Sequence, residues 1–381
     1  MSAIYPEIDP DGLLEYSVVF TDRSLNSMSQ SFQGVMRDIS AMLKEVYRAR
    51  SAIIVPGGGS VAMEAVARQF AGGQTCLVVR NGWFSYRWTQ IFEAGDIPER
   101  AIVMKAGQTG DEAQSPFAPA PIDEVVATIG REKPGVVFAP HVETAAGLML
   151  PDDYIAALAE TVHSVGGIMV LDCVASGAMW VDMHALGVDV LISAPQKGWS
   201  ASPCAGLVML SERGRELIDE TTSSSFAIDL KKWLQIMETY ESGTHAYHAT
   251  MPTDALARFR DMMVETKEYG FETARESQKE LGRRVRALFE EHGFRSVAAD
   301  GFRAPSVVVS FTDDPDIQTG KHFAAEGLQI AAGVPLMCDE PEGYKSFRIG
   351  LFGLDKLKNV DRTVDNLEQA LKRVLAKTNI R

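Results

Sequence analysis

The sequence predicts an α/β protein, built on a mostly parallel central sheet with helices on both faces and followed by a small C-terminal α+β domain. Three observations carry that prediction. Short β-branched apolar runs alternate with helical patterns through the first two thirds of the 381 residues. The runs are apolar almost throughout, as strands buried on both faces are. From about Thr253 the texture changes to long charged amphipathic segments separated by a few further apolar runs.

Taken in order, residues 1–20 read as an N-terminal arm. "SAIIVPGGGS" is a strand ending in a glycine turn, and "VAMEAVARQFA" repeats its apolar residues at helical spacing. The runs "QTCLVVRNG", "AIVMKAG", "PGVVFAPHVE", "GGIMVLDCVA", "VDVLISAPQ" and "AGLVMLSE" follow, each a few apolar residues closed by turn chemistry. Helical patterns in "IDEVVATIGRE" and "PDDYIAALAETVHSVG" separate several of them. This sets a large α/β domain over 21–260. A long helical region from Thr253 breaks at Gly270, and "PSVVVSFTDD", "HFAAEGLQI", "YKSFRIGLFG" and "NVDRTVDNLEQALKRVLAK" complete a small α+β domain over 261–381.

Composition excludes several classes of function. The 37 Lys and Arg against 51 Asp and Glu leave a net charge of −14, with the acids spread along the chain. A nucleic acid or an anionic membrane is repelled by such a surface, and neither is expected as a partner. No apolar stretch is long enough to span a bilayer. Cys76, Cys173, Cys204 and Cys338 lack CxxC spacing and mostly sit in apolar runs, which fits buried thiols rather than disulfides or zinc. The acidic opening "MSAIYPEIDPDGLLEY" does not read as a signal peptide, so a cytoplasmic location is expected.

Two stretches point to chemistry. "VPGGGSVAMEA" sets Gly58, Gly59 and Ser60 between a strand and a helix, where backbone N–H groups favour an anion. It has neither the Walker lysine nor the G-x-G-x-x-G spacing, so it is a phosphate cradle or a plain tight turn. Asp172 ends a buried apolar run and needs a cationic partner or good hydrogen bonds, although capping of the next segment would also account for it. Lys197 follows 25 residues later (197 − 172), at the end of a later strand-like run and among small residues. A desolvated lysine is a nucleophilic amine able to form a Schiff base with an aldehyde. With an acid to face an aromatic nitrogen and a cradle for phosphate, these are the parts that pyridoxal phosphate requires.

The order of the glycine turn, the Asn-Gly-aromatic segment, "HVETAAG", "LDCVAS", "SAPQKG" and "FRIGLFG" resembles the class V, fold type I aminotransferases, nearest the alanine:glyoxylate and serine:glyoxylate branch. The resemblance spans residues 50 to 370 and implies the fold of the pyridoxal phosphate-dependent transferases. It implies that Lys197 carries the cofactor and that Asp172 keeps its ring nitrogen protonated. It further implies that Val174 and Phe84 pack on the two ring faces, that Gly58, Gly59, Ser60 and Gln196 bind the phosphate, and that Thr144 reaches the phenolic oxygen. Tyr247 and Thr250 match a segment that reaches the partner subunit's phosphate, which implies a homodimer with shared sites; packing alone would also explain such a loop. Arg348, in an otherwise apolar run, is matched to the group that binds the substrate carboxylate, a task suited to a planar guanidinium.

The activity expected is transfer of an amino group from an α-amino acid to a small keto acid such as glyoxylate or pyruvate. The opening "YSVVFTDRSLNSMSQSFQ" replaces the Gly-Pro-Gly-Pro start frequent in the family and leaves substrate identity open. A lyase or desulfurase of the same fold is the alternative, with Cys338 the candidate thiol and no neighbouring cation expected to activate it. A non-catalytic binding module is disfavoured by the presence of both Lys197 and Asp172. His141, His245 and His248 do not form metal spacing, and no metal is expected.

Overall fold

The computed structural model of the chain describes residues 13–377. Residues 1–12 of the expected arm lie outside the described residues, and 13–20 carry neither helix nor strand. The central sheet has seven strands: β1 (Ser51–Pro56), β2 (Thr75–Arg80), β3 (Arg100–Lys105), β4 (Val136–Pro140), β5 (Ile168–Asp172), β6 (Val190–Ser193) and β7 (Ala205–Leu210). Their spatial order is β1-β7-β6-β5-β4-β2-β3. The seven apolar runs of the large domain are these seven strands.

Six strands point the same way; β7 alone runs against both of its neighbours. The reason is the connection. Only residues 194–204 join β6 to β7, with no helix among them, whereas a parallel crossover needs a longer excursion. Ile53, Leu77, Val137, Val170, Leu191 and Val208, one from each of six strands, are fully buried, which accounts for their unalternated apolar runs.

Helices Gly59–Phe70, Trp83–Gly95, Ile122–Glu132 and Asp152–Ser164 cover the sheet between strands. Gln30–Tyr47 and Leu230–Glu241, which the sequence reading passes over, pack against β1. Gly270 adopts φ +96° and separates Thr253–Tyr269 from Phe271–Glu291, at the break expected there. Residue 260 lies inside the first of these helices, which packs on Gln30–Tyr47, while the second packs on β8 (Val307–Phe311). The order β8, β10 (Ser346–Gly350), β9 (Ala331–Ala332) forms a small antiparallel sheet. No helix among the described residues is long and apolar enough to cross a membrane.

Candidate active site

Asp172 is the last residue of β5, flanked in register by Pro140 of β4 and Ile192 of β6. It is buried, and its Oδ1 accepts the Val174 N–H at 2.9 Å. Capping of the next segment is therefore real, but it occupies one carboxylate oxygen only. Burial raises the carboxyl from 3.8 to about 6; the Val174 N–H works against that rise, Glu143 adds to it, and Arg87 and Lys197 oppose it.

Lys197 lies in the turn between β6 and β7. Two anchors hold that turn. Trp199, fully buried, packs its ring 4.8 Å from Trp180 and within 6.5 Å of Tyr47. Gly198 touches the Gly177 carbonyl so closely that a Cβ would sit 2.3 Å from its oxygen, so the small residue is required by contact. Ser200, at φ +58°, accepts the Leu354 N–H on its Oγ at 2.5 Å and ties the turn to the small sheet's side. The Lys197 Nζ stands 4.5 Å over the Phe352 ring. Its pKa is lowered by burial first and then by Arg348, with Asp172 pulling the other way.

One cleft of about 150 Å³ brings together Gly59, Ser60, Phe84, Thr144, Asp172, Val174, Gln196 and Lys197. Gly59 abuts Val174, whose Cγ2 would meet an added Cβ at 2.8 Å. Gly58 caps the helix start without lining the cleft, and its backbone is extended and open to a side chain. Gly57, at φ +134° and against Val61, is the position in this turn where backbone conformation requires glycine. The Gln196 Oε1 is buried with no partner.

Phe84 sits in the first turn of Trp83–Gly95, and the start of that helix is held by a carboxylate from elsewhere in the chain. Glu143, fully buried, accepts from the Phe84 and Ser85 N–H groups, the Ser85 hydroxyl and the Ala145 N–H. A negative group at a helix N-terminus is favoured by the exposed N–H groups and the dipole. Gly82 makes room for it, since a Cβ there would lie 2.7 Å from Glu143 Cγ.

Arg348, on β10, donates from Nε to the Ala332 carbonyl at 2.7 Å, and its guanidinium lies 5.6 Å from the Phe84 ring centre. Burial lowers its pKa, and Glu143 and Tyr344 act against that. Arg348 thus borders the cleft from the small sheet. Tyr247 and Thr250 are bonded to each other at 3.1 Å and exposed, and within the chain they do not reach the cleft. His141 holds Ser176 at 2.7 Å, and burial lowers its pKa to about 4. No cluster of three His, Cys, Asp or Glu side chains among the described residues could hold a metal ion.

Arg87 lines the cleft as well, a candidate the sequence reading missed. Its Nη1 donates to Ser60 Oγ at 2.7 Å, and its guanidinium lies 5.2 Å from the Phe84 ring centre. The signal was its spacing, since a residue three after Phe84 on a helix shares its face. The expectation that no cation neighbours Cys338 is corrected: Arg80 does, and its charge lowers the thiol pKa. Burial outweighs it and pushes the thiol up to about 12, so Cys338 stays protonated and donates to the Arg80 carbonyl at 3.3 Å.

The residues fit pyridoxal phosphate on their own chemistry. A helix N-terminus at Gly59 and Ser60, a cation at Arg87, a buried carboxylate and a buried amine face one cleft, with the Gln196 amide at its edge. The family model described as aminotransferase class V matches residues 13–341. Alanine–glyoxylate aminotransferase of Callithrix jacchus is 27% identical over 358 residues, covering 91% of this chain and 82% of that protein. 2-Aminoethylphosphonate–pyruvate transaminase 2 of Paraburkholderia xenovorans is 28% identical over 342 residues, covering 87% and 84%. Among solved structures, ureidoglycine–glyoxylate aminotransferase of Bacillus subtilis superposes with a TM-score of 0.75 at 22% identity, covering 92% and 86%.

Proposed function

The chain belongs to the class V aminotransferases, and from that premise we propose that it moves an amino group from an α-amino acid to a small keto acid such as glyoxylate or pyruvate. Its cofactor is pyridoxal 5′-phosphate, on which the family depends. The observation that carries the proposal is the pairing of Asp172 and Lys197 in one cleft, the carboxyl raised and the amine lowered by the same burial.

When bound, the cofactor supplies an aldehyde carbon and an electron-withdrawing ring that acidifies the Cα–H of an attached amino acid. The chain's residues do the rest. Lys197 holds the cofactor and, once displaced, is the amine that takes and returns the proton at the substrate Cα. Asp172 sets a negative charge against the ring nitrogen and keeps it protonated. Val174 and Phe84 confine the two ring faces, and Thr144 donates toward the phenolic oxygen. Arg348 grips the α-carboxylate with two parallel hydrogen bonds and so fixes which Cα substituent faces Lys197.

Gly59, Ser60 and Gln196 offer the phosphate neutral donors, and Gly58 sets the helix start that aims the first two. Arg87 supplies the positive charge, exchanging its Ser60 bond for a phosphate oxygen. Arg87→Gln is therefore expected to weaken binding of pyridoxal phosphate by about 10- to 100-fold. Binding of pyridoxal, which lacks the phosphate, should change by less than about threefold. Equilibrium titration of the cofactor-free protein with both compounds measures the difference, and an equal loss for the two would assign Arg87 a purely structural part.

We further propose a cytoplasmic homodimer in which Tyr247 and Thr250 reach the partner's phosphate. Tyr247 at 60% and Phe226 at 78% exposure support an apolar contact surface there, and four buried free thiols suit a reducing compartment. A desulfurase reading is weakened by the buried, protonated Cys338.

The test is the absorbance of the purified protein titrated with amino acids and then keto acids. Transamination predicts that the band of the lysine-bound cofactor disappears with one donor and returns with one acceptor. A band that persists with every donor would defeat the proposal and favour a lyase.

A further inference from the structure

A second cavity, of about 470 Å³, lies where the carboxyl ends of β2 and β3 meet the loop 333–345. Arg80 and Lys105 close those two strands as register partners, and both line the cavity. Strand ends of this kind are where ligands approach a parallel sheet. The loop above them is held in an unusual shape: Met337 at φ +61° and Asp339 at φ +59° are left-handed without being glycine. Glu340 fixes it by accepting the N–H groups of Leu336, Met337 and Cys338 at 2.7, 3.2 and 2.9 Å. Arg80 Nη1 donates to the Met337 carbonyl at 3.3 Å, and Lys105 binds Asp339 at 2.7 Å.

The hydrogen bonding of this wall is one-sided. Its carboxylates are engaged, Asp339 by Lys105 and Glu340 by three amides. Arg80 Nε is buried without a partner, and the buried Tyr344 and Ser346 hydroxyls have only each other, so the wall keeps protons to donate. Ser346 is fully buried and Arg80 is 8% exposed, so water does not reach them freely. Buried donors left unmatched are costly, and a ligand that relieves them brings acceptor oxygens and negative charge.

We propose that this cavity binds the carboxylate of a small dicarboxylic ligand. Its position suggests one source. Ser346 and Arg348 are two apart on β10 and share a face, their Cα atoms about 6–7 Å apart along the strand. The cavity therefore adjoins the strand position that borders the catalytic cleft, and an acidic amino acid with its α-carboxylate on Arg348 would turn its distal one toward Ser346, Tyr344 and Arg80. The other source is a free dicarboxylate. The substrate version rests on the transaminase reading; carboxylate binding by the cavity does not.

The holoenzyme and its Ser346→Ala and Tyr344→Phe variants distinguish these. Calorimetric titration with succinate, with propionate as the one-carboxylate control, reads binding. Steady-state kinetics with L-alanine, L-aspartate and L-glutamate read donor choice. Each variant is expected to weaken succinate by about tenfold or more and leave propionate unchanged. If kcat/KM for the acidic donors falls by the same factor relative to alanine, the ligand is the substrate's distal carboxylate. If donor choice is unchanged while succinate binding falls, the ligand is a free dicarboxylate. If no donor reacts yet succinate binding depends on the two hydroxyls, the transaminase reading fails and the cavity assignment stands. A wild type that binds succinate no better than propionate, or variants that weaken both alike, would overturn the assignment.

Discussion

Lys197→Ala is expected to release the cofactor from covalent attachment and to lower transamination by at least about 10³-fold. The cleft contains no second amine, and Arg87 and Arg348 are guanidinium groups that stay charged and cannot take a proton from Cα. The loss should be chemical and not a loss of fold. The turn is held by Trp199 against Trp180, by the contact of Gly198 with Gly177 and by the Ser200–Leu354 bond, none of which uses the lysine side chain. The variant should therefore retain the wild-type circular dichroism and melting behaviour, lose the lysine-bound absorbance band, and recover part of its rate when a small primary amine is added. Turnover near the wild-type rate would remove Lys197 from the chemistry.

Asp172→Asn should separate stability from function. Asparagine keeps an acceptor for the Val174 N–H but carries no charge to hold the ring nitrogen protonated, so turnover should fall by about 10²-fold or more. In the cofactor-free protein the same change should stabilise. The folded carboxyl titrates near 6 against an ordinary 3.8, so between those values the native state binds more protons than the unfolded one. Its contribution to stability falls as pH rises through that window, by on the order of 3 kcal/mol at completion. The advantage of the variant should be absent below about pH 4 and complete above about pH 6. A cationic ring nitrogen beside the carboxylate cancels the penalty, so bound cofactor should reverse the order. Urea unfolding with and without cofactor across this range gives both results, and a pH-independent difference would show that Asp172 is not the group that titrates.

The seven strands of the large sheet were legible because each is a continuous apolar run, and burial on both faces writes itself directly into composition. Asp172 and Lys197 were legible for a related reason: a charged residue at the end of such a run stands out against its neighbours. The helix Trp83–Gly95 was not, because its start depends on Glu143, nearly 60 residues away, and no local pattern announces that cap. The reversal of β7 came from the shortness of a connection, which sequence shows only once both strands are known.

What the sequence determined by itself is the seven strands of the large sheet and the two groups proposed to carry the chemistry, since both follow from apolar runs and the charged residues that end them. What only the tertiary structure decided is which distant groups meet. Arg87 lies on Ser60, and Arg348 borders the cleft from another sheet. Arg80 and Ser346, 266 residues apart (346 − 80), share a second cavity. Such meetings depend on chain topology and packing, in which spacing along the chain no longer measures distance.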